Sequence, residues 1–243
     1  MKFLIIQLRP ENEASDNEFA AFLSMSGLKI DEVDRIRMEI SGLPAISARD
    51  YAGVIVGGGS SNVSDPEEKK PDFQRKFEAD LQPLLTEIYE YDVPFLGACY
   101  GFGALVQHQK GIVSKEKYGE PVGVTVLKKT AEGKLDPLTK DLPDTFEAFC
   151  GHKEACQLLP PDAVNLLTSD TCPIQLFRLK ENIYATQFHP ELDTEGIIVR
   201  INTYKHAGYF PPEEADTLIK AVEKENVFVP ATILRNFVDR YRK

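Results

Sequence analysis

Apolar runs too short to span more than one strand alternate with longer segments at helical spacing over the first 110 residues. Phe3-Leu-Ile-Ile6 reads as a buried first strand, and the apolar spacing from Glu18 to Leu23 predicts a helix ending at Gly27. Val33 to Ile40 is ambiguous and fits a strand with charged neighbours. Tyr51-Ala-Gly-Val-Ile-Val56 is a clear strand, closed by Gly57-Gly58-Gly59-Ser60. A polar loop rich in Ser, Asp and Pro follows, from Ser60 to Pro71. Phe73, Phe77, Leu81, Leu84, Leu85 and Ile88 then mark one face of a long amphipathic helix over Asp72–Tyr91, in which Pro83 predicts a kink or a break. A strand at Phe95-Leu96 leads through a sharp turn into a helix beginning near Ala104 and closed at Gly111. This alternation predicts an α/β fold: an open, largely parallel sheet with helices on both faces. Ligands of such sheets bind outside the carboxyl ends of the strands, and two glycine-bearing ends qualify, Gly57-Gly58-Gly59 and the turn after Leu96.

The second half changes character. Val122–Leu127, Val164–Thr168, Ile174–Arg178 and Ile183–Phe188 read as short strands, an antiparallel or mixed extension of the same sheet. From Thr194 the pattern is helical again. Gly208-Tyr-Phe-Pro-Pro212 interrupts it, and Glu213–Lys224 and Thr232–Tyr241 read as two further helices.

Charge and cysteine usage narrow the function classes. With 28 basic and 38 acidic side chains the formal charge is −10, which argues against a nucleic-acid partner and against an anionic membrane surface. The apolar run after Met1 is too short for a secretory signal, and nothing approaches the roughly 18 apolar residues of a membrane span. Cys99, Cys150, Cys156 and Cys172 form no C-x-x-C pair, so neither a metal site nor a redox dithiol is expected, and reduced thiols in the cytoplasm are the economical reading.

Candidate chemistry centres on Gly97-Ala-Cys99-Tyr-Gly101. A thiol at a strand-to-helix corner is lifted out of the sheet edge and sits near a helix N-terminus, where the peptide dipole favours thiolate. The pentapeptide alone is equally compatible with a buried, inert cysteine. A cysteine nucleophile needs a base, and the base an orienting acceptor. Among His108, His152, His189 and His206, only His189 directly follows a strand and has a carboxylate, Glu191, two residues on; in extended backbone the two would share a side.

In combination, Gly97-Ala-Cys99-Tyr-Gly101 and Phe188-His189-Pro-Glu191 resemble the class I glutamine amidotransferases, the triad-type glutaminases that supply ammonia to a synthetase. Gly58-Gly59-Ser-Ser, Glu120-Pro-Val-Gly123 and Gly151-His152-Lys-Glu-Ala-Cys-Gln-Leu-Leu-Pro160 resemble further family segments in the same order. The similarity covers about residues 1–205 and is nearest to stand-alone, GMP-synthase-like glutaminases. It implies a flavodoxin-like amidotransferase domain over 1–205, with residues 206–243 as a C-terminal helical extension packed on it. It also implies hydrolysis of the glutamine side-chain amide through a thioester on Cys99, with His189 as acid and base and Glu191 orienting it. The oxyanion would be held by the N–H groups of Gly59 and Tyr100, and the substrate by Gly58, Gly59, Gly103 and His152. No metal or organic cofactor is implied, and the ammonia acceptor would belong to a synthetase on another chain. Three departures stand out. Gly103 replaces a glutamine that helps hold the substrate, Ser60 replaces a proline, and Lys153 stands where an acidic residue after the middle histidine is usual. Two rivals therefore stay open: a γ-glutamyl peptidase or hydrolase using the same three residues, and a partner-dependent subunit with little activity alone, docking through Tyr209-Phe210 and the last helices.

Overall fold

The computed structural model describes residues 1–242. Five parallel strands form one half of the main sheet: β1 (Phe3–Gln7), β2 (Val33–Arg37), β3 (Gly53–Val56), β4 (Phe95–Ala98) and β11 (Ile183–Thr186). The other half is antiparallel: β6 (Glu120–Lys129), β7 (Thr145–His152), β9 (Val164–Thr168) and β10 (Leu176–Leu179). The order across the sheet is β2-β1-β3-β4-β11-β10-β9-β6-β7. A separate hairpin-like pair joins β5 (Ile112–Ser114) to β8 (Ala155–Leu158). The sheet is thus mixed, with five of its nine strands in a contiguous parallel block, as the alternation of elements predicts.

Alternation along β1 divides the core. Phe3 and Ile5 face the layer of α1 (Asn12–Ser26) and α7 (Ala231–Tyr241), where they join Phe22, Ile233 and Phe237. Leu4 and Ile6 face α3 (Asp72–Tyr91) and α4 (Tyr100–His108), against Phe77, Leu81, Leu85 and Ile88. A smaller apolar cluster seats α5 (Thr194–Thr203) and α6 (Ala215–Val222) beside Phe149 and Leu192.

Several elements differ from expectation, each for a physical reason. Helix α3 runs through Pro83 without a break, because Pro83 and Ala79, whose carbonyl it leaves without an N–H partner, both lie on the exposed face. Helix α1 begins six residues before Glu18, since its buried row of Ala14, Glu18, Phe22 and Ser26 is only half apolar. Strand β7 carries little β-branched character, and pairing with β6 over seven residue pairs holds it in place. Strand β11 stops at Thr186, and the residues beyond it turn.

Candidate active site

Parallel pairing decides what meets what. The carboxyl ends of β1, β3, β4 and β11 lie side by side, so the residues just past them, Arg9, Gly57–Gly59, Cys99 and Gln187–Glu191, converge on one edge. The Cys99 N–H donates to the Thr186 carbonyl at 2.8 Å, which ties the corner of β4 directly to the end of β11.

Cys99 has φ 51° and ψ −92°, a conformation that costs an L-residue of order 1–3 kcal/mol and persists only where the surroundings impose it. Two glycines impose it here. A Cβ on Gly97 would lie 2.7 Å from the Gly101 carbonyl, and one on Gly101 would lie 2.7 Å from the Val56 carbonyl, so the turn closes only without side chains at both positions. The thiol is half-buried, whereas Cys150, Cys156 and Cys172 are buried. Burial pushes Cys156 and Cys172 up to about 12, so those thiols stay protonated and inert.

His189 is buried, and its Nδ1 lies 2.8 Å from Glu191 Oε1. The pairing does not arise from extended backbone. Residues 189–192 form a turn in which the Leu192 N–H reaches the His189 carbonyl at 3.4 Å, while the Phe149 carbonyl of β7 accepts the His189 N–H at 3.1 Å. Burial alone would lower the imidazole pKa, but the Glu191 carboxylate and then the Cys99 side chain outweigh it and hold the ring at about 9. Glu191 is itself opposed by burial, yet His189 keeps its carboxyl below the ordinary range. The two reactive side chains share one point in space: a Cβ on Gly58 would lie 2.7 Å from His189 Cε1 and 3.5 Å from Cys99 Cβ.

The glycine loop after β3 is held by a buried ion pair that the sequence reading did not single out. Glu18 on α1 accepts from Arg9 Nε at 2.7 Å, from Gln7 Nε2 at 3.0 Å and from the Gly58 N–H at 3.2 Å. The available signal was its place in the α1 row between Ala14 and Phe22, where a carboxylate needs a partner. The N–H groups of Gly57 and Gly58 are thereby taken, by the Ile6 carbonyl and by Glu18. Those of Gly59 and Tyr100 have no hydrogen-bond acceptor among the described residues, and Tyr100, in the first turn of α4, has no intrahelical one.

The remaining candidates separate into layers. His152 is buried and lines the same recess as Cys99, Gly59 and Tyr100, with Nδ1 against the Glu154 carbonyl and Nε2 2.9 Å from Glu120 Oε2. Glu120 also accepts from Thr125, Ser169, Thr171 and Gln175. Burial would raise its carboxyl, but these bonds, led by His152, hold it near 2. Glu120, His152 and Cys172 lie close enough to share a cation, with ligand atoms within 4.8 Å of one another. However, Glu120 and His152 are engaged with each other and with the surrounding hydroxyl and amide groups, so the cluster is a hydrogen-bonded hub that fixes residues 150–154. The carboxylate absent at Lys153 is supplied one residue later. Glu154 accepts from the Val63 and Ser64 N–H groups at 2.8 and 2.9 Å and pins the loop after β3. Gly103 lines neither recess next to Cys99. A Cβ there would lie 3.0 Å from Val63 and 3.5 Å from Glu154, so the space a longer side chain would need is filled by that pinned loop. His108 bonds Thr86 and Gln109 away from the site. No helix among the described residues is long and apolar enough to cross a membrane.

Comparison with known proteins establishes the family and the fold. The family model "Glutamine amidotransferase class-I" matches residues 16–196. The chain is 34% identical over 142 residues to a GMP synthase [glutamine-hydrolyzing] of Thermosipho africanus, a match covering 58% of this chain and 24% of that protein. It is 30% identical over 164 residues to the GMP synthase of Aliarcobacter butzleri, covering 66% and 29%. The matched region thus spans about a quarter of the length of these relatives. Among solved structures, a glutamine amidotransferase from Thermotoga maritima superposes with a TM-score of 0.77 at 22% identity, over 99% of this chain and 98% of that one. One from Methylobacillus flagellatus gives 0.71 at 20% identity over 100% and 96%. At these identities the two structures establish the shared fold.

Proposed function

Because the chain belongs to the class I glutamine amidotransferase family, we propose that it hydrolyses the side-chain amide of glutamine through a γ-glutamyl thioester on Cys99. The observation that carries this reading is the line Cys99–His189–Glu191, assembled where two neighbouring parallel strands end. Cys99 as thiolate attacks the γ-carbonyl carbon. The oxyanion takes hydrogen bonds from the N–H groups of Gly59 and Tyr100; one such donor is typically worth about 3 kcal/mol of barrier. His189, held as imidazolium by Glu191, gives its proton to the departing nitrogen, and ammonia leaves. Neutral His189 then takes a proton from water as the water attacks the thioester, and glutamate is released with the thiolate restored. Gly58 lets the loop approach the imidazole, and His152 shapes the recess that receives the amino-acid part of the substrate.

The relatives are glutamine-hydrolysing synthases, which supports delivery of ammonia to a synthetase acceptor. The four cysteines are free thiols, which supports a cytoplasmic setting.

The test is alkylation by a glutamine-analogue diazo-ketone followed by peptide mass spectrometry. Label on the Cys99 peptide, lost in Cys99→Ala and strongly slowed in His189→Ala, is the expected result. Label distributed over Cys150, Cys156 and Cys172 would refute the assignment.

A further inference from the structure

Cys99 is shared by two recesses, and only one of them contains the proton donor. The smaller holds Tyr100, His152 and Gln187. The larger holds His189 together with Arg9, Arg200 and an apolar wall that includes Val122, Ile197 and Phe210. His189 protonates the leaving nitrogen, so the leaving group departs on the side of the larger recess.

Arg200 makes the recess chemically specific. It is 6% exposed, and α5 directs it inward alongside Ile197 and Ile201. Its Nη1 donates to Asn17 Oδ1 at 2.8 Å, whereas Nε and Nη2 are buried without a hydrogen-bond partner among the described residues. Those two atoms occupy one edge of the guanidinium and donate in parallel, matching the two oxygens of a carboxylate. Among nearby anions, Glu18 holds Arg9, Gln7 and Gly58, and Glu191 bonds His189 through Oε1, while its buried Oε2 accepts no hydrogen bond among the described residues and its charge attracts Arg200 without bonding it. Burial, and then the neighbouring charge of Arg9, lower the Arg200 pKa to about 10, a strain that a bound anion relieves.

We propose that the larger recess receives the leaving-group side of a γ-glutamyl amide, and that Arg200, backed by Arg9, binds a carboxylate carried on that group. γ-Glutamyl amino acids and short γ-glutamyl peptides are then substrates of this centre alongside glutamine. The inference rests on the Cys99–His189 chemistry above. The thiolate forms the S–C bond, the C–N bond to the amino acid breaks, the His189 proton goes to that nitrogen, and the free amino acid leaves. Water then hydrolyses the thioester to glutamate.

The test compares γ-glutamylglycine with γ-glutamylmethylamide, which keeps the amide and lacks the carboxylate. Calorimetry on the Cys99→Ala chain reads binding without turnover, and no Arg200 variant is needed for this first comparison. The acid is expected to bind about tenfold or more tightly, the value of a charge-assisted hydrogen-bond pair. Arg200→Gln should reduce the preference to about twofold or less, and Arg200→Lys should restore part of it, keeping the charge but losing the parallel fork. Equal affinities for the two compounds would overturn the subsite. Turnover by the unaltered chain separates the two levels. Glutamine hydrolysis without preference for the acid overturns the subsite and spares the nucleophile. Preferential binding of the acid with no cleavage of any of the three compounds overturns the hydrolysis and spares the subsite.

Discussion

At the scale of single residues, the chemistry depends on positions where a side chain cannot be tolerated as much as on those that react. A methyl at Gly58 would sit 2.7 Å from both Arg9 Nη2 and His189 Cε1. Gly58→Ala is therefore expected to lower kcat/KM for glutamine about 100-fold through misplacement of the imidazole, with far-ultraviolet circular dichroism unchanged. The raised pKa of His189 sets a second expectation. In the proposed first step the imidazolium donates the proton, so kcat/KM should fall as pH rises through about 9, where that proton is lost. The same shift contributes to folding. A pKa raised from 6.5 to about 9 stabilises the native state fully below 6.5 and ceases to do so as pH rises through 9. Urea titrations should therefore show the unaltered chain losing its advantage over His189→Ala across that window; a pH-independent difference would contradict the pairing. Cys99, His189 and Glu191 are legible in the sequence because two short motifs carry them in a characteristic order. Arg9, Glu18, Glu154 and Arg200 are not, because their roles depend on which strand and helix ends meet in space.

At the scale of elements, the parallel half of the sheet was readable because strands buried on both faces are continuous apolar runs, as in Phe3–Ile6 and Val54–Val56. The antiparallel half alternates less cleanly. Thr145–His152 mixes Glu147 and Gly151 with apolar residues, and only its pairing with Glu120–Lys129 makes it a strand. The far end of that hairpin is held by Glu120. Removing its carboxylate leaves buried groups of His152 and Gln175 without this acceptor, so Glu120→Ala should destabilise the chain by about 3–5 kcal/mol in urea unfolding at neutral pH. The Glu120 carboxyl is depressed from 4.5 to about 2, so this stabilisation is complete above 4.5 and disappears as pH falls toward 2. A deficit in the variant that stays constant down to pH 2 would show that the carboxylate charge is not what holds the hub. Pro83 belongs to the same lesson: a helix breaker in isolation is harmless where the carbonyl it strands can bond water.

At the scale of the whole molecule, the last helices join the layers rather than trail from them. Phe237 on α7 is fully buried, with its ring centroid 6.4 Å from that of Phe3 on β1. Phe237→Ala should cost about 3–5 kcal/mol, the range for truncating a buried aromatic, read as a lower urea midpoint at unchanged slope. Cys99 borders two recesses, which the proposed reaction assigns to the acyl group and to what departs from it. Residues 204–210 close over both, with Tyr209 bordering each and Lys153 Nζ lying 4.3 Å from the centre of its ring.

The central claim is that Cys99 carries the γ-glutamyl group during turnover, and acid-quenched peptide mapping of the chain mixed with glutamine tests it most directly. The predicted result is a γ-glutamyl mass increment on the peptide containing Cys99, absent from Cys99→Ala. Turnover of glutamine with no such adduct, or with the increment on Cys150, Cys156 or Cys172, would contradict it.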